Sequence, residues 1–127
     1  MQKMLLIFLG SGIGGVLRFA LSGWAQRLSG AAFPIGTLAV NVIGCLLIGW
    51  IGAALTGRLL MREEYRLAII VGLLGSFTTF SAFGWETFTM ISDGQYARAA
   101  ANAGLSVILS VAAVMAGYRI AALWPGL

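Results

Sequence analysis

The sequence predicts an all-α membrane protein: one domain over residues 1–127, built from four transmembrane helices, the third of them broken at mid-membrane. Three observations carry that expectation. Apolar residues make up 60% of the chain and charged ones only 9%, too few to clothe a globule in water. Four apolar runs reach the roughly 20 residues needed to cross about 30 Å of hydrocarbon, with only short polar joints between them. The third run carries glycines and hydroxyls where an unbroken span would carry leucines, in the stretch from Gly72 to Glu86.

The first run covers residues 4–25 and stops at Gln26, Arg27 and the Ser29-Gly30 turn. Lys3 followed by apolar residues has the form of a signal peptide, but the run continues to Trp24 and three more spans follow, so it is expected to be a retained helix. The second run, residues 34–55, opens on Pro34, whose fixed φ suits a first helical turn. The third covers residues 65–92, with its break near 75–79, and the fourth covers residues 96–123. Trp24, Trp50 and Trp124 lie towards run ends, as interfacial anchors do.

A break in the third span has a physical cost. Backbone at that depth must be buried in protein or line a wet cavity, because lipid offers its N–H and C=O groups no partner. The break is therefore a candidate functional site. Just beyond it, Phe80 and Phe83 are three residues apart and share a helical face, with Thr78, Thr79 and Ser81 beside them. Ring edges carry partial positive charge, so edges flanked by hydroxyls suit a small anion better than a cation. Aromatic residues at this spacing are also ordinary packing, but a purely packed face has no need of the hydroxyls.

The net charge of +4 raises the question of nucleic acid. The basic residues form no aromatic-interleaved patch and sit mostly in the joints, so no nucleic-acid partner is expected. With four spans, Lys3, Arg58, Arg62, Arg66 and Arg119 fall on one side, and Arg27, Arg98 and the deeper Arg18 fall towards the other. So weak a bias permits insertion in both orientations, which would allow an antiparallel dimer. Four helices also enclose little interior in which to hide a broken one, which argues for an oligomer. Gly10 with Gly14, and the stripe Asn41, Cys45, Gly49 and Ala53, supply surfaces for close helix contact, although glycine is common in membrane helices in any case.

Histidine is absent and Cys45 is the only cysteine, so a transition-metal site, a Ser-His-Asp triad or an intrachain disulfide has nothing to be built from. No enzyme is expected. Asn41 lies inside the second span, where its carboxamide must find partners: an anion or a neighbouring helix. Asn102, Ser106 and Ser110 recur every four residues as one polar stripe on the fourth helix, marking a lined pathway or a polar interface. Arg18 and Glu86 are the charges nearest the membrane interior. Arg18 either snorkels or faces a vestibule, and Glu86 is a vestibule charge or an arginine partner.

These residues resemble the Fluc (CrcB) fluoride channels. The likeness rests on Gly36-Thr37-Leu38 followed by Asn41, on Gly72-Leu73-Leu74-Gly75 with Thr78-Thr79-Phe80-Ser81 and Phe83, and on Arg18 after a glycine-rich stretch. The resemblance implies a passive channel that exports cytoplasmic fluoride across the bacterial inner membrane. It implies a dual-topology homodimer of inverted copies in the bilayer with two pores, and a structural Na⁺ at its centre held by backbone carbonyls of Gly75 and Thr78. Pore-lining roles are implied for Asn41, Phe80, Phe83, Ser81, Ser106 and Ser110, and for Asn102. Ala82 and Gly84 depart from the family pattern by removing two hydroxyls, which bears on throughput and on pairing with a non-identical subunit. The rival reading is a small dual-topology multidrug exporter, similar in size but dependent on a membrane-embedded glutamate in its first helix, which this chain lacks.

Overall fold

A computed structural model describes residues 1–57 and 60–124; Arg58, assigned above to the more basic side, lies outside them. Among the described residues, four helices are long and apolar enough to cross a membrane. The protein is a multi-pass integral membrane protein. Helix α1 is Gln2–Ser29 and helix α2 is Ile35–Gly57. The third span is in two pieces: α3, residues 63–77, and α4, Phe80–Ser92. Helix α5 is Tyr96–Leu123.

Local chemistry sets the joints. Gly30 ends α1 in the left-handed region at φ 56°, a conformation that glycine adopts without a Cβ penalty. Gln26 then staples the loop: its Nε2 donates to the carbonyls of Ala31 (2.8 Å) and Phe33 (3.0 Å), while its Oε1 accepts from Gly36 N at 3.0 Å. The turn between α4 and α5 uses Gly94 at φ 74°, closed by Gln95 N donating to Met90 O at 2.8 Å. Within α3 the stretch Ala68–Leu74 widens into a π-helix, a departure that nothing in the composition of those residues announces.

The helices pack through close backbone contacts, most extensively α1 on α3 and α2 on α5. A Cβ on Gly14 would strike the carbonyl of Leu73, one on Gly10 would come within 2.5 Å of Ala68 O, and one on Gly72 would lie 2.8 Å from Ile7 O. Thus Gly10 and Gly14 hold α1 against α3 within the subunit. In the second pair, Gly49 meets the backbone of Val114 and Gly117 that of Leu46, so α2 lies close against α5. Lys3 Nζ bonds Glu63 Oε2 at 3.1 Å, which puts the starts of α1 and α3 on one side of the membrane. Phe8, Phe19, Ile108 and many other large apolar side chains remain exposed, as expected where lipid is the solvent.

Candidate functional site

The site is built around two extended residues. Thr78 (φ −85°, ψ 158°) and Thr79 (φ −149°, ψ 119°) leave the helix, and β-branching favours that extended form. Before the break, Thr78 N (3.1 Å) and Thr78 Oγ1 (3.0 Å) both donate to Leu74 O. After it, Thr79 caps α4 as its Oγ1 accepts from Ala82 N at 3.2 Å. Between these, α2 supplies the missing partners. Asn41 Oδ1 accepts from Thr79 N at 2.7 Å and Asn41 Nδ2 donates to Thr79 O at 3.0 Å. Gly44, one turn along α2, has no Cβ and so leaves room for the Thr78 methyl.

This clasp has a consequence for two carbonyls. In an unbroken helix Gly75 O would accept from Thr79 N, and Thr78 O from Ala82 N. Here Thr79 N turns to Asn41 and Ala82 N turns to the Thr79 hydroxyl. The carbonyls of Gly75 and Thr78 are both released from helical bonding, which leaves hard oxygen donors of the kind a small cation takes.

Around the break lies a cavity of about 400 Å³ that brings together Asn41, Gly75, Thr78, Phe80, Phe83, Ser106 and Ser110. The Phe80 and Phe83 rings stand 5.3 Å apart and tilted by 42°, and Phe80 is 82% exposed in the subunit. Ser81 is on the other side of α4. Its hydroxyl sits 3.3 Å from Thr79 Oγ1, and it lines a second cavity of about 420 Å³ with Arg18, Ser22, Thr37 and Thr79. Thr79 borders both cavities, so the clasped peptide is the partition between them.

Glu86 accepts from Thr37 Oγ1 at 2.5 Å, and its Oε2 is buried without a hydrogen-bond partner. Its partner is thus a hydroxyl of α2. Among the described residues the ion pairs are Lys3–Glu63 and Arg62–Glu64, and neither engages Arg18 or Glu86. Asn102 stands apart from its stripe-mates: 2% exposed, it donates to Thr87 Oγ1 at 2.9 Å and does not border the cavity that Ser106 and Ser110 line. Thr87 and Gly44 were not legible as site residues, although Thr87 lies on the helical face that carries Phe80 and Phe83.

Residues 5–118 match the family model described as CrcB-like protein, Camphor Resistance (CrcB). The chain belongs to the CrcB family. It is 44% identical over 122 residues to a protein of Sulfurovum sp. (strain NBC37-1), covering 94% of this chain and 95% of that one. It is 45% identical over 120 residues to one of Rhizobium etli (94% and 96%), and 45% identical over 121 residues to one of Geobacter sulfurreducens (95% and 98%). All three carry the name fluoride-specific ion channel FluC. The CrcB family is thus one of ion channels, not enzymes.

Proposed function

We propose that this CrcB protein is a fluoride channel of the bacterial inner membrane, letting cytoplasmic fluoride out passively through two pores of an antiparallel homodimer. Each subunit is one four-helix transmembrane domain. The observation that carries the reading is the one cavity lined both by the tilted Phe80 and Phe83 rings and by Ser106 and Ser110, beside a helix break held open by Asn41. The names of the relatives agree with it.

The chemistry follows from what fluoride must give up. Its tight hydration shell is replaced by ring edges, serine O–H groups and the second N–H of Asn41, since the bond to Thr79 O uses only one of that amide's two donors. A narrow path with closely set donors disfavours a larger halide. Arg18 and Ser81 in the second cavity form the approach, with Glu86 joined to it through Thr37, which lines the same cavity. A second, inverted subunit would set two breaks side by side, so that Gly75 O and Thr78 O from each copy offer four oxygens to one Na⁺.

Purified protein reconstituted in fluoride-loaded liposomes tests this reading. Efflux recorded by a fluoride electrode, with chloride retained in parallel vesicles, supports it. Release of neither halide, or of both alike, contradicts it.

A further inference from the structure

Asn102 and Thr87 form a polar pair for which the proposed pathway has no use. Asn102 Nδ2 donates to Thr87 Oγ1 at 2.9 Å, and Thr87 Oγ1 donates in turn to the main-chain carbonyl of Phe83 at 2.8 Å. One hydrogen-bonded chain therefore runs from the interior of α5 to the backbone of a residue that faces the cavity.

Helices α4 and α5 are consecutive and joined by a tight turn, so they run antiparallel. In such a pair, four residues back along one helix match four residues forward along the other. From Thr87–Asn102, one such step sets Phe83 opposite Ser106, and a second sets Thr79 opposite Ser110. All four of those residues line the cavity of about 400 Å³. Three residues the other way, Met90 and Ala99 are both buried, as the same register requires.

Apolar packing alone leaves this register poorly specified. Around Asn102, residues 99–104 of α5 are otherwise alanine and glycine, small side chains that give a neighbouring helix little to interlock with. A single buried polar pair fixes register where such a surface cannot, because any slip strands the amide without a partner.

We propose that Asn102 and Thr87 are positioning residues: their hydrogen bond sets the register of α4 on α5, and with it the placement of Phe83 against Ser106. The effect on transport rests on the fluoride-channel reading; the register itself does not.

Two readouts separate these. Disulfide cross-linking of Phe83→Cys with Ser106→Cys, in a Cys45→Ala background, reports the register directly. Fluoride efflux from liposomes reports the pathway. With the pair intact the cross-link forms; Thr87→Val and Asn102→Leu reduce it and slow fluoride efflux at least tenfold, and Thr87→Ser restores both. The double variant Thr87→Val/Asn102→Leu is no slower than either single one. Thr87→Val alone, which trades a hydroxyl for a methyl, decides the matter if Asn102→Leu fails to fold. The proposal is overturned if the cross-link does not form with the pair intact, if its yield is unchanged in Thr87→Val, or if Thr87→Val conducts at the wild-type rate. A wild-type protein that releases no fluoride while its cross-link still depends on Thr87 overturns the channel reading and leaves the register standing.

Discussion

Asn41 grips the Thr79 peptide unit at both ends, accepting from its N–H at 2.7 Å and donating to its C=O at 3.0 Å. That one side chain satisfies both backbone groups of Thr79 within the break, and it does so from a different helix. Asn41→Asp removes the donor and sets a carboxylate against the Thr79 carbonyl. The variant should lose about 1–3 kcal/mol of stability and at least tenfold in fluoride efflux. Thermal unfolding in detergent and electrode-recorded efflux check the two parts; wild-type values in both would remove Asn41 from the account.

Phe80 separates function from folding. Its ring is 82% exposed in the subunit and touches little besides Phe83, so the fold does not depend on it. Phe80→Ile should leave the elution volume of the detergent-solubilised oligomer unchanged and lower fluoride efflux by an order of magnitude or more. Unimpaired efflux would place the ion's route elsewhere.

Much of this was readable in the residues, and the reasons differ from place to place. The break showed because glycines and hydroxyls interrupt an apolar run, and it falls at Thr78–Thr79, inside the stretch expected to hold it. Residue type and depth are the same whether Asn41 faces an ion or a helix. That the Thr79 peptide unit lies opposite Asn41 is visible only in the structure. Gly10 and Gly14 were legible as a contact surface, but a sequence does not say whether the contact is within or between subunits, and here it is with α3. Spacing put Asn102, Ser106 and Ser110 on one stripe. It could not show that one end of the stripe is sealed by α4 while the other opens onto the cavity.

The backbone contact between α1 and α3 gives a stability prediction. A side chain at Gly14 would run into the main chain of Leu73, and a carbonyl cannot move aside as a flexible side chain does. Gly14→Val should therefore destabilise the protein by about 1–3 kcal/mol or prevent its assembly. Gly12→Val on the same helix, where a Cβ meets nothing within 4 Å, should be tolerated. Equal melting temperatures for the two variants would contradict this packing.

The released carbonyls of Gly75 and Thr78 give a prediction about cations. If four such oxygens hold one Na⁺ at the centre of a dimer, replacing Na⁺ with N-methylglucamine during purification and assay should slow efflux and lower the melting temperature, and restoring Na⁺ should reverse both. Behaviour independent of the cation would leave the carbonyls without a ligand.

The most direct test of the account is fluoride efflux by the wild-type protein in liposomes with no proton gradient. With K⁺ and valinomycin carrying the compensating charge, a passive fluoride channel predicts rapid loss of fluoride, retention of chloride and no further response to a protonophore. Retention of fluoride, or efflux that requires an imposed proton gradient, would contradict it.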